Sequence, residues 1–206
     1  METLPESLVW CLAVLIGYLA GSIPFGLVLT KAAGIDLRAI GSGNIGATNV
    51  LRSGRKDLAL ATLLLDSFKA GLVALAFNLF FGPLAGLIAG AAAFVGHCYP
   101  VWLGFKGGKG VATYAGLLAF LHWPSFLIAA PVWGAIFALS RISSLSALIA
   151  AIVVPVGAWL LGAPSFLIVG LAALSAFVFW THRSNIGRLL RGEEPRFGTK
   201  ASGSEA

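Results

Sequence analysis

The sequence predicts an all-α polytopic membrane protein with seven transmembrane helices, its N-terminus outside and its C-terminus cytoplasmic, and three polar loops converging on the cytoplasmic face. Three observations carry that reading. Of 206 residues, 58% are hydrophobic and only 11% charged, with a mean hydropathy of +0.92; in soluble domains about a quarter of residues are charged. Several apolar runs approach or exceed the roughly 20 residues needed to cross about 30 Å of hydrocarbon. The basic residues are segregated, as they are at the cytoplasmic side of membrane proteins.

The runs at 8–29, 58–81 and 84–103 are long enough to span alone. Those at 111–121, 126–139, 145–161 and 166–180 are shorter and interrupted by Pro124, Pro131, Pro155 and Pro164. Unpaired backbone groups are too costly in lipid for anything but helices here, and the runs are too long for barrel strands. Met1 to Ser7 carries Glu2 and Glu6 without a basic residue, so the first run reads as a retained helix rather than a signal peptide. Cys11 and Cys98 fall near opposite ends of their spans, which argues against a disulfide, and two cysteines make no metal cage.

Of the 14 Lys and Arg residues, 13 lie at 31–56, at Lys106 and Lys109, at Arg141, and at 183–200. Seven crossings put all four places on one face, and the opposite turns at 82–83, 122–123 and 162–164 hold no Lys or Arg. Span count and charge therefore agree. Lys31, Arg38, Arg55, Lys56 and Arg141 read as topology and anionic-lipid signals. A net charge of +6 and a pI near 9.8 suit an anionic membrane surface; no aromatic-and-basic pattern points to nucleic acid. One membrane domain is expected over 1–198, followed by a short disordered tail at 199–206.

Three polar loops interrupt this apolar pattern. GSGNIGATNVLR at 41–52 matches a dinucleotide fingerprint through Gly41, Gly43 and Gly46, with Asp66 twenty residues on. That fingerprint requires a strand before it, whereas membrane helices flank it here. What survives is physical: glycines let backbone N–H groups face an anion, Ser42, Asn44, Thr48 and Asn49 supply neutral polar groups, and Arg52 adds a fixed cationic fork. GHCYPVWLGFKGGKGVAT at 96–113 is one residue short of a P-loop, with Gly110 where a magnesium-binding Ser or Thr belongs, so an ATPase reading is poor. Lys106 and Lys109 among glycines before a helix at Val111 still make an anion site. THRSNIGRLLRGEEPRFG at 181–198, if helical, puts His182, Asn185 and Arg188 on one face. Asp66 and Lys69, three apart in the second span, are expected to pair away from lipid.

These three segments, in this order, closely resemble the cytoplasmic motifs of the bacterial acyl-phosphate-dependent glycerol-3-phosphate acyltransferase family (PlsY). The resemblance covers nearly the whole chain. It implies transfer of a fatty acyl group from acyl phosphate to the 1-hydroxyl of glycerol 3-phosphate at the bacterial inner membrane, giving lysophosphatidic acid and phosphate, the first step of phospholipid biosynthesis. It also implies a peripheral enzyme that makes acyl phosphate from acyl carrier protein. By motif position, the catalytic group is Ser42, Asn44, His182 and Asn185. The phosphate-binding group is Gly43, Arg52, Lys106, Gly107, Gly108, Lys109, Gly110 and Arg188. Asn49, Asp66, Lys69, His97, Thr113 and Glu193 are expected to support them. Neither a metal nor a cofactor is expected.

The chemistry sharpens these expectations. Two phosphorylated reactants must be held close together, so Arg52 with Lys109 is expected to clamp one phosphate while the N–H groups of Gly107, Gly108 and Gly110 cradle it. Ser42, Asn44 and Asn185 would donate to the second phosphate or to the oxyanion at the acyl carbon. No His is followed five residues later by an Asp: Trp102, Leu127 and Gly187 stand there instead. With phosphate as a good leaving group, a phosphate oxygen can itself take the hydroxyl proton, leaving His182 as the candidate if a protein base acts. A transporter of phosphate esters would instead show internal repeats and midplane polar groups.

Overall fold

The computed structural model describes residues 4–198, so the expected tail at 199–206 lies outside the described residues. These residues form helices without a strand among them. The chain runs α1 (Glu6–Gly21), α2 (Phe25–Ala32), α3 (Ala47–Arg52), α4 (Lys56–Phe81), α5 (Pro83–Cys98), α6 (Val111–Leu121), α7 (Trp123–Ser140), α8 (Ser143–Leu160), α9 (Ser165–Thr181) and α10 (Arg183–Leu190). Single 3₁₀ turns stand at Leu37–Ala39 and Val101–Leu103.

By length and composition, five segments can cross a membrane: Glu6–Ala32, Lys56–Phe81, Pro83–Leu103, Trp123–Ser140 and Ser143–Leu160. Ser165–Thr181 with Arg183–Leu190, bent by 62°, makes a sixth. Val111–Leu121 has 11 residues and reaches only about 16 Å at 1.5 Å per residue. The expected seven helices thus become five or six spans of sufficient length plus one short apolar helix.

Prolines explain most boundary differences. Pro24 separates α1 from α2, because its ring removes one backbone donor and restricts the residue before it. Pro100 similarly stops the third run at Cys98 rather than Leu103. Pro131 and Pro155, read from sequence as interruptions, lie inside continuous helices, where apolar packing outweighs one lost hydrogen bond.

Small residues bring the helices close. Gly17 and Gly21 of α1 face α5 so tightly that an added Cβ would lie 2.2 Å from the Ala89 oxygen and 2.0 Å from the Ala93 oxygen. Gly116 of α6 meets the Ser67 carbonyl of α4 at 2.0 Å by the same measure. Such spacing is the membrane form of helix packing, where close backbones replace the missing hydrophobic drive. α5 is the most enclosed span, 67% buried against 11% for α7, so α5 is central and α7 faces outward. Phe94 of α5 packs edge-on with Tyr114 and Phe177, joining α5, α6 and α9. The polar loops are therefore hung from the rigid centre of the bundle.

Candidate active site

The first loop is shaped by Asn49. Its Oδ1 accepts from the Ser42 N–H at 3.1 Å and the Ser42 hydroxyl at 3.3 Å, while its Nδ2 donates to the Leu37 and Ile40 carbonyls. A buried amide thus pins both ends of the turn. Gly41 has φ +52° and Gly43 φ +66°, conformations that favour glycine. A Cβ on Gly41 would also strike Asn49 Oδ1 at 2.7 Å and Arg52 Cδ at 2.8 Å, so Arg52 lies across the bare turn. The side chains of Asn44 and Arg52 have no hydrogen-bond partner among the described residues.

The second loop corrects one expectation. The Gly107 N–H donates to Cys98 O and the Gly108 N–H to His97 O, both at 3.0 Å. Those carbonyls end α5 and need partners, so the turn folds back to cap its own helix, and these two N–H groups do not face an anion. Gly110, at φ +82°, starts α6 with its Cα against the Phe94 ring. Thr113, fully buried in the first turn of α6, leaves its hydroxyl oxygen without a partner. Lys106 is exposed, and its carbonyl, not its ammonium, ties the loops: Arg38 donates to it at 2.8 Å. Arg38, read from sequence as a topology charge, is therefore a tether.

The third loop is helical as α10, with His182 at the bend, and it meets Lys109. The ammonium donates to Asn185 Oδ1, and Asn185 Nδ2 donates to Glu194 Oε1, which fixes the amide's orientation. Glu194 also accepts from Ser144 at 2.6 Å and from Arg188 at 2.7 Å. Thr181 donates to the Lys109 carbonyl at 3.1 Å. Thr48 and Ser143 join the first loop to the start of α8 at 3.2 Å. Ser143, Ser144, Thr181 and Glu194 were not singled out in the sequence. The structure puts Glu194 in this cluster, whereas Glu193 pairs with Arg191 on the exposed surface. The repeated Glu in GEEP gives no choice between them; the fold does, because the Glu193 N–H returns to the Arg188 carbonyl after Gly192 turns at φ +71°.

Electrostatics confirm the gathering. Burial brings Lys109 down to about 8; Glu194 opposes this, and the nearby positive charges of Arg188 and Arg52 add to it. Charges from the first and third loops thus act on the ammonium of the second. Burial pushes Glu194 up, but its bonds from Ser144, Asn185 and Arg188 prevail and hold it below the usual carboxylate range. His182 is buried at the bend between α9 and α10. Its Nδ1 lies 2.8 Å from the Val178 carbonyl, so the neutral ring carries its proton there and its lone pair on Nε2. Asp66, Lys69 and His97 lie together inside the bundle beneath the second loop. No group of three metal-ligating side chains occurs among the described residues.

Fold and cluster define a helical integral membrane protein whose three polar, glycine-bearing loops meet at one end around Arg52, Lys109, Arg188 and a single organising carboxylate. A family model described as glycerol-3-phosphate acyltransferase matches residues 11–192. A glycerol-3-phosphate acyltransferase of Hyphomonas neptunium is 69% identical over 202 residues, covering 96% of this chain and 97% of its own. One from Maricaulis maris is 59% identical, covering 92% and 88%. Among solved structures, PlsY, an integral membrane glycerol 3-phosphate acyltransferase, in its glycerol 3-phosphate form superposes with a TM-score of 0.88 at 40% identity, over 92% of this chain and 96% of that one. Its lysophosphatidic acid form gives 0.87 at 38% over the same shares. The chain belongs to the glycerol-3-phosphate acyltransferase family (PlsY), integral membrane acyltransferases of phospholipid biosynthesis.

Proposed function

We propose that this acyltransferase takes its acyl group from acyl phosphate and places it on the 1-hydroxyl of glycerol 3-phosphate, releasing lysophosphatidic acid and phosphate. The observation that carries this reading is the cationic cluster: Arg52 of the first loop and Arg188 of the third both lie near enough to act on Lys109 of the second, with Glu194 the one carboxylate among the described residues bonded within it. Such a surplus of positive charge suits two phosphorylated reactants held together. The related structure's glycerol 3-phosphate form supports one of them. The hydroxyl oxygen bonds to the acyl carbon, the bond from that carbon to the phosphate oxygen breaks, and the proton leaves with a phosphate oxygen. Phosphate is a good leaving group whose oxygens can take that proton, so the step needs no strong protein base.

In this scheme Arg52 and Lys109 grip phosphate, with Gly43, Lys106, Gly110 and Arg188 around it. Ser42 and Asn44 donate at the reacting centre, and Asn185 keeps one amide hydrogen for it while holding Lys109. Asn49 and Thr113 shape the loops. We place the loops on the cytoplasmic side of the bacterial inner membrane, with seven crossings and the N-terminus outside. Both Thr48–Ser143 and Ser144–Glu194 join the start of α8 to the loop end, which supports α6 with α7, and α8 with α9, as two returning hairpins. A peripheral enzyme working on acyl carrier protein would supply the donor.

The test is direct. Purified protein in detergent receives glycerol 3-phosphate with palmitoyl phosphate or with palmitoyl-CoA. Lysophosphatidic acid from the phosphate donor alone is the expected result; turnover with the thioester alone refutes the donor assignment.

A further inference from the structure

The scheme above leaves unexplained an ionic group buried in the bundle. Lys69 Nζ donates to Asp66 Oδ1 at 2.7 Å and to the Ile23 carbonyl at 2.8 Å, and lies 3.0 Å from His97 Nδ1. These three contacts match the three hydrogens of an ammonium, so none remains for a substrate. Asp66, Lys69 and His97 are 2%, 8% and 4% exposed, and they bond to one another and to the Ile23 carbonyl inside the bundle. A buried ion pair is weak evidence for stability, because apolar residues of like volume often do as well; its best-attested use is to fix register.

What it would register is visible at its two ends. Ile23 sits at the break between α1 and α2, where its carbonyl, outside any helical ladder, accepts the Phe25 N–H at 3.2 Å and takes Lys69 as a second donor. From there α2 leads to the first loop, and a Cβ on Gly26 would lie 1.9 Å from the Ile45 oxygen, so helix and loop touch backbone to backbone. At the other end, a Cβ on Gly108 would lie 2.1 Å from His97 Nε2, so the imidazole forms the floor of the second loop. The His97 carbonyl also accepts the Gly108 N–H. One ammonium therefore connects, in two steps each way, the loop bearing Arg52 and the loop bearing Lys109.

We propose that Asp66, Lys69 and His97 form a buried brace that sets the spacing of the first two polar loops, making Lys69 and His97 positioning residues of the site. Its kinetic readout rests on the acyl-transfer reading; its structural readout does not. Lys69→Met and His97→Ala should each raise amide hydrogen exchange over 105–110 at least tenfold, while the outer ends of the helices exchange as before. Each should raise the KM for glycerol 3-phosphate at least tenfold with kcat within threefold. Gly108→Ala alone should cost more than tenfold in kcat/KM, because its methyl group meets the imidazole. In a His97→Ala background, where that ring is gone, the same change should cost less than threefold.

Unchanged exchange at 105–110 in both single variants overturns the brace, as does a Gly108→Ala loss of equal size in the two backgrounds. If Lys69→Met does not fold, the exchange comparison with His97→Ala and the Gly108 pair still decide. If the unaltered protein shows no acyl transfer, the functional reading falls while hydrogen exchange continues to test the brace.

Discussion

Raising the pH should weaken the site through Lys109. Its ammonium, held at about 8 by burial, is about 90% charged at pH 7 and about 10% charged at pH 9. The sign follows from the group: a depressed lysine keeps its charge below the folded value and loses it above. If the ammonium grips phosphate, kcat/KM should fall about tenfold between pH 7 and pH 9, with a midpoint near 8, because this ratio reports groups of the free enzyme. A phosphate ester titrates near pH 6, so it is already about 90% in its dianionic form at pH 7 and changes little from there to pH 9. The assay is initial-rate formation of lysophosphatidic acid, corrected at each pH for spontaneous loss of acyl phosphate. Lys109→Arg, whose guanidinium remains charged, should remove the alkaline limb while lowering the overall rate. Glu194→Gln should move the limb to lower pH, since the carboxylate helps to keep the ammonium charged. A profile flat to pH 10, or the same limb in Lys109→Arg, would refute the assignment.

Three further outcomes follow from the geometry. Gly21→Ala should destabilise the protein by at least about 2 kcal/mol in thermal unfolding in a fixed detergent, since its methyl group would stand 2.0 Å from the Ala93 oxygen and α1 would have to move; an unchanged midpoint contradicts that packing. Arg38→Met removes the exposed bond to the Lys106 carbonyl and should lower kcat/KM a few-fold at an unchanged thermal midpoint; unchanged kinetics would strip Arg38 of its tethering role. Because the described residues offer no cluster of metal-ligating side chains, activity should survive EDTA. Complete loss restored by magnesium would reject that expectation.

The apolar helices and the three loops were legible in the sequence because each rests on a local cause. A run of apolar residues must be helical in lipid, and glycine among amides and cations marks a turn whatever the distant chain does. Helix boundaries were less legible. Pro24 and Pro131 look alike in sequence, yet one stands in the break between two helices and the other sits within one, since the outcome depends on whether neighbouring packing holds the strained turn together. The short reach of Val111–Leu121, by contrast, was legible, because the apolar run at 111–121 has the bounds of the helix.

Within the loops, residue type was readable but direction was not. Gly107 and Gly108 have the composition of an anion cradle, and their N–H groups instead cap α5, because the His97 and Cys98 carbonyls at its end need donors. Glu193 and Glu194 are chemically identical neighbours, separated by a return of the chain that depends on the left-handed Gly192. The consequence is mechanistic. With Glu194 bonded to Ser144, Asn185 and Arg188, the amide oxygen of Asn185 must face Lys109, so the carboxylate orients the ammonium through an intervening side chain. Exchanging the roles of the two glutamates would leave the net charge unchanged and Lys109 without that orientation. Charge number alone therefore does not describe this site; the direction in which each polar atom is held does.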